Sequence, residues 1–252
     1  MADMDLAVER IAAAIKQQEH IMVFGDYDVD GTTATTLLYL TIKLLTDRIS
    51  SYIPNRLTDG YGLSMEGLQE ARNRGVTLIL AVDCGITANA EVDRAHEMGI
   101  DVVIIDHHMP GDTLPNSVAI LNPKRVDCGY PFKDLCGVGL AYKVAQALAE
   151  HVGLPENAVY SHMDLVALGT TADIVPLCDE NRVLTMYGLD MMRQTHKSGL
   201  QALIDVSGLR QKELSTGHML FLLAPRINAA GRMGDATPVS YTHLTLPTIL
   251  LV

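Results

Sequence analysis

The chain has no run of about 18 consecutive apolar residues, which removes a membrane-spanning helix from consideration. Its first twenty residues mix acidic and basic side chains in amphipathic order, unlike a signal peptide. A cytoplasmic protein with no membrane association is therefore expected. Cysteine is sparse, and Cys84, Cys128, Cys136 and Cys178 form no Cys-x-x-Cys pair. That spacing argues against a zinc ribbon, offers no disulfide framework, and leaves four reduced structural thiols as the plain reading. Positive charge is also short: 19 Lys and Arg face 30 Asp and Glu, for a formal net charge of -11. Such a balance repels nucleic acid unless bound cations or a basic domain elsewhere offset it. No internal repeat or low-complexity linker is visible.

What is present is enough apolar material for a full core, 48% of 252 residues, in one domain or one domain plus a fragment. Apolar periodicity alternates between strand and helix. A helix is expected over 5–18, a strand over 20–25, a helix over 32–45, a short strand over 51–53, and a helix over 64–74 with Ser64 as its cap. Then follow a strand over 76–83, a helix over 89–98, a strand over 101–106, a short apolar piece at 118–123 and a helix over 137–153. Beyond Asp164 the pattern is mostly helical. This predicts an α/β fold, a parallel sheet with helices on both faces and a helical extension, because strands buried on both sides read as continuous apolar runs.

Three of the predicted strands end in acidic residues: Asp26, Asp28 and Asp30 in GDYDVDG, Asp83 in VDCG, and Asp106 in IDHH, followed by His107 and His108. Ligands of an open parallel sheet bind outside the carboxyl ends of its strands, so these groups are expected to meet in one crevice. Carboxylates that close raise one another's pKa and call for a countercharge, which divalent metal supplies. Oxygen donors with one imidazole suit Mn2+ or Mg2+ better than zinc, and a shared carboxylate, here Asp83, can bridge two ions. A calcium loop of the EF-hand type would need Glu six positions after Gly31, where Leu37 stands. Asp26 and Asp28 are thus assigned to metal, and Asp30 supports them or, with Thr32, caps the following helix. His107 is the candidate imidazole ligand, His108 faces the scissile phosphate or leaving group, and Asp106 orients a ring.

Taken together, GDYDVDGTTAT, VDCGI, IDHHMP, DLVALGTTADIVPL and PRINAAGRM resemble the DHH phosphoesterase superfamily, and within it the bacterial single-strand-specific exonucleases. The resemblance runs from about residue 3 to 236, with five motifs in the family's order. It implies a two-metal hydrolase that removes mononucleotides from the 5′ end of single-stranded DNA in repair and recombination. Single-strand-binding protein and a helicase are the partners it suggests. Residue by residue it gives Asp26, Asp28, Asp83, His107 and Asp173 as ligands of two Mn2+ or Mg2+ ions. Asp164 is the rival for the last place, and Asp173 is preferred because it follows the small-residue stretch GTTA. Arg226, Asn228 and Arg232 are candidate phosphate contacts, and the amides of GVGLAYK could face phosphate or simply permit tight helix packing. Some relatives carry a ligand His where this chain has Met22, and family members continue into a second domain and an oligonucleotide-binding module. The expected organisation is a phosphoesterase domain over 1–180, a helical extension over 181–237, and a tail over 238–252 that carries no charged residue and does not match the family. The alternative activities are a phosphodiesterase for short oligoribonucleotides or cyclic dinucleotides, and an inactive scaffold of the same fold.

Overall fold

A computed structural model describes residues 1–56 and 59–233, the last three as backbone only; the predicted tail lies outside the described residues. Five parallel strands, β1 (Ile21–Phe24), β2 (Ile49–Tyr52), β3 (Leu78–Val82), β4 (Asp101–Ile105) and β5 (Ala119–Leu121), form one sheet in the order β2-β1-β3-β4-β5. The helices before and between them are α1 (Met4–Lys16), α2 (Val29–Lys43), α3 (Met65–Asn73) and α4 (Asn89–Glu97). After β5 come α5 (Gly137–Val152), α6 (Asn157–Tyr160), α7 (Met163–Ala172), α8 (Asp179–Arg193), α9 (Ser198–Val206), α10 (Thr216–His218), a π-helical turn over Met219–Leu223, and α11 (Ala224–Met233).

Successive strand residues serve different cores. Ile21, Val23, Leu78, Leu80, Val82, Val103 and Ile105 face a larger cluster shared with α1, α2, α5, α7 and the helices that follow. Met22, Phe24, Ile79, Ala81, Val102 and Ile104 face a smaller one under α3 and α4. That alternation is the period of two expected when helices cover both faces. The helices of the extension add Leu184, Met192, Leu200, Leu223 and Ile227 to the larger cluster, so they share a core with the sheet.

The sheet's order reverses at β1, whose neighbours β2 and β3 continue in opposite directions. In such sheets the crevice at the reversal, outside the strands' carboxyl ends, is where ligands bind. Asp26 follows β1 and Asp83 follows β3, so both stand at that crevice.

Helix α2 starts three residues earlier than the apolar pattern implies. Asp28 is its cap, with the side chain accepting from the Gly31 amide at 2.9 Å, and this draws Val29 and Asp30 into the first turn. Asp30 and Thr32 are therefore not the cap. The Ser64 cap of α3 forms as expected, its hydroxyl accepting from Gly67.

Candidate metal centre

Five elements deliver the acidic residues and the imidazole to one place, α2 among them with Asp28 as its cap and Asp30 in its first turn. Asp26 follows β1, Asp83 follows β3, and Asp106 with His107 follows β4. Asp173 closes the C-terminus of α7. Asp83 takes a left-handed backbone, φ 59°, while its amide donates to Ile105 at 2.9 Å, extending the β3–β4 ladder one residue. Asp is among the residues that tolerate that conformation. Gly137, at the start of α5, lies against it: a Cβ there would stand 2.6 Å from the Asp83 Cβ and 2.7 Å from its Oδ1.

Three overlapping sets of donor atoms lie within 4.8 Å of one another: Asp26, Asp28 and Asp83; Asp83, His107 and His108; and Asp30, His107 and Asp173. Asp83 and His107 each belong to two sets. The His107 Nε2 is 3.1 Å from Asp83 Oδ1, 3.6 Å from Asp173 Oδ2 and 3.8 Å from Asp30 Oδ2. None of these approaches is a hydrogen bond: Asp26 Oδ1, Asp83 Oδ1, Asp173 Oδ2 and both nitrogens of His107 are buried without a partner. Buried polar atoms in folded proteins are nearly always paired, since an orphan forfeits its hydration. Lone pairs converging on one point without donors are the arrangement a cation requires.

The electrostatics agree. Burial, then the charge of Asp28, pushes Asp26 up to about 7, and the same two causes take Asp173 to about 6. Asp83 and Asp30 are also raised, by burial first and then by Asp30 and Asp173 respectively. Burial, followed by repulsion from His108, lowers His107 to about 4, so its ring is neutral near pH 7. Burial and mutual repulsion thus favour the protonated form of these carboxyls, and a divalent cation among them would displace those protons.

Asp30 is held from its other side. Its oxygens accept the Gly137 and Val138 amides at 2.6 and 2.8 Å. The amides of GVGLAYK thus face Asp30, where sequence reading considered phosphate or simple packing.

Asp106 is fully buried and accepts from the Ile86 amide, the His108 amide and His108 Nδ1, the last at 2.7 Å. Burial alone would raise this carboxyl, but the hydrogen bond and charge of His108 outweigh it and hold it low. The same hydrogen bond raises His108, whose ring stands at the rim, half exposed.

Sequence reasoning missed three neighbours. Tyr61 donates to the Asp83 carbonyl at 3.3 Å and lies edge-on to His108; its signal was an aromatic inside the Gly-rich DGYGL loop. Asn122, after β5, is buried and donates to the His108 carbonyl at 2.8 Å. Arg56 sits 5.3 Å above the Tyr27 ring.

Asp164 is elsewhere, in the first turn of α7, where Lys197 and Thr195 occupy its oxygens. The small residues before Asp173 serve helix packing: a Cβ on Gly169 would meet Thr33 of α2 at 2.4 Å and Val138 of α5 at 2.7 Å. The expected phosphate contacts lie on α11, where Arg226 donates to the Leu222 carbonyl of the preceding π-helical turn and Asn228 accepts from the Val29 amide. The Arg232 side chain lies outside the described residues.

The DHH family, N-terminal domain, matches residues 20–170. The chain is 45% identical over 246 residues to the single-stranded-DNA-specific exonuclease RecJ of Bacillus subtilis, covering 98% of this chain and 30% of that protein. It is 41% identical to the protein of the same name from Escherichia coli, covering 93% of this chain and 43% of that one. A crystal structure of exonuclease RecJ bound to manganese superposes with a TM-score of 0.87 at 35% identity, over 97% of this chain and 61% of that one. The chain therefore spans less than half the length of these curated relatives. With the family matched across more than half of its residues and the five-stranded sheet shared with a manganese-bound relative, the chain belongs to the DHH family.

Proposed function

We propose that this chain carries the metal centre of a single-stranded-DNA-specific exonuclease, one that hydrolyses phosphodiesters from the 5′ end with two Mn2+ or Mg2+ ions. The observation that carries the reading is the set of buried, unpartnered donor atoms on Asp26, Asp83, His107 and Asp173. Asp26, Asp28 and Asp83 would hold one ion, His107 and Asp173 the other, with Asp83 shared and Asp30 beside them. Bound there, the ions would supply an activated water and charge stabilisation for attacking and leaving oxygens.

The chain's own groups do the rest. His108, its pKa raised by the hydrogen bond to Asp106, presents a donor at the rim when protonated, suited to a phosphate oxygen or a departing hydroxyl. Asp106 fixes the ring through Nδ1, and the Tyr61 hydroxyl stands 3.4 Å from Nε2. The net charge of -11 opposes DNA, so grip on the strand falls to the cations and to parts of the protein outside this chain. Names of the relatives favour DNA over short oligoribonucleotides or cyclic dinucleotides. A role in repair and recombination, a cytoplasmic location, and partnership with single-strand-binding protein and a helicase belong to the same proposal. No described helix is long and apolar enough to cross a membrane.

The test is hydrolysis of a 5′-labelled single strand with and without Mn2+, by this chain and by its Asp83→Ala variant. Manganese-stimulated release of mononucleotides by the parent and none by the variant is expected. Equal activity in both refutes the assignment.

A further inference from the structure

We propose that Asn228 is a positioning residue that fixes Asp28 for cation binding, a role distinct from contact with substrate phosphate. The proposal rests on the metal-centre reading above and concerns the peptide group between Asp28 and Val29. That group is pinned at both ends. Its carbonyl accepts the Thr32 amide at 2.9 Å and the Thr32 hydroxyl at 2.7 Å. Its N–H donates to Asn228 Oδ1 at 3.1 Å, across 199 positions of sequence. The Asp28 side chain is held too, with Oδ1 on the Gly31 amide. Four hydrogen bonds thus restrain Asp28 and the peptide plane that aims its carboxylate at Asp26 and Asp83.

The Val29 N–H is one of the first amides of α2, which have no partner within the helix. Such amides ordinarily find water or a cap. Here the partner is a side chain on α11, and the orientation of its amide follows from chemistry, since only the oxygen can face an N–H donor. Asn228 reaches this place from a helix whose preceding turn is π-helical, Met219–Leu223, closed by the Ala224 amide on the Met219 carbonyl. Pro225 follows at once, and proline has no N–H and crowds the carbonyl four residues back, which the wider turn accommodates. Buried Ala224 and Ile227 seat α11 against the core, which presents Asn228 to the start of α2. Its carbonyl is spent on backbone, so a phosphate clamp would have to break this bond first.

Mn2+ titration of the chain, followed by the electron paramagnetic resonance signal of the free ion, separates the cases. The parent is expected to bind Mn2+; an Asn228→Leu variant, with the same branching but without an acceptor, to bind it about tenfold more weakly, the scale at which loss of a supporting hydrogen bond affects a metal site. Asn228→Asp keeps an acceptor and is expected to restore parental affinity. If the parent binds no Mn2+, the metal-centre reading itself fails. If the parent binds and Asn228→Leu binds equally well, or if Asn228→Asp is as weak as Asn228→Leu, the positioning role is overturned; unchanged Mn2+ affinity with weakened binding of a single-stranded oligonucleotide would assign Asn228 to phosphate. Amide exchange at Val29 in the parent checks the contact without any variant: protection comparable to the interior of α2 is expected, and solvent-like exchange overturns the proposal.

Discussion

Helix α7 carries a carboxylate near each end, Asp164 fully buried and Asp173 partly so, and the two have opposite lives. At its N-terminus Asp164 receives Lys197 Nζ at 2.8 and 3.0 Å and the Thr195 hydroxyl at 2.7 Å. The helix dipole also favours an anion there. At its C-terminus Asp173 stands where the dipole disfavours an anion, and its Oδ2 is buried without a partner. One acid is a structural clamp that ties the segment after α8 to α7. The other is held in an unfavourable place by a fold that gives its Oδ2 no hydrogen bond. Acidity and a buried oxygen are common to both, so neither identifies a site; satisfaction of the lone pairs does.

Substitutions that break the contrast should separate function from stability. The largest effect is expected at the shared carboxylate: Asp83→Ala should reduce Mn2+-stimulated hydrolysis to background while the melting temperature changes little, because removal of like charges and an orphaned oxygen offsets the cost of Ala at φ 59°. A melting temperature that collapses with the activity would make Asp83 structural instead. Next, His108→Asn should lower the turnover rate by about 10^2 to 10^4-fold, the usual worth of a positioned proton donor, without changing Mn2+ affinity. The sign of its pH dependence follows from the raised pKa. Parental turnover should persist above the ordinary imidazole range and fall only at higher pH, and that alkaline limb should be missing from the variant's profile. At the other end of α7 the effect should appear in denaturant melts. Asp164→Ala strands the ammonium of Lys197, 15% exposed, and should cost about 3–5 kcal/mol. Folded Asp164→Ala protein should still bind Mn2+ like the parent; loss of the ion would erase the distinction drawn here.

The smallest effect concerns the residue after Asp173. Ile174 adopts φ 59° with its side chain 76% exposed. For a β-branched residue this conformation is strained, on the order of 1–3 kcal/mol. Ile174→Gly relieves it, and a rise of about 1 kcal/mol, or roughly 2–4 °C in Tm, is expected by calorimetry. An unchanged or lowered Tm would show that the turn is not strained in solution.

The sequence made much of this visible because it is local. Apolar runs ending in Asp, or Asp-His, place three acids and an imidazole at strand ends, and parallel topology brings those ends together whatever the loops do. Other features were opaque for the opposite reason. Asp30 reads as a helix cap, yet its oxygens meet amides 107 and 108 residues away. Asn228 reads as a phosphate ligand, and its partner lies 199 positions back. The true cap, Asp28, was hidden because any of three acids in one short loop could do that job, and the choice depends on the backbone of Asp28, extended at ψ -177°. Gly137 could be read as packing or as an anion nest; only the approach of Asp83 shows why no side chain fits there.

The unequal cores on the two faces of the sheet have a consequence for how the crevice breathes. Helices α3 and α4 rest on the smaller cluster, and the loop segment carrying Cys84 and Ile86, whose amide anchors Asp106, packs into that same cluster. Fewer apolar neighbours mean a lower free energy of local opening. Fluctuation should therefore loosen the bracing of Asp106 and His108 before it disturbs the opposite wall, where α2, α5 and α7 carry Asp30 and Asp173. The rim should then yield on one side while the other stays rigid.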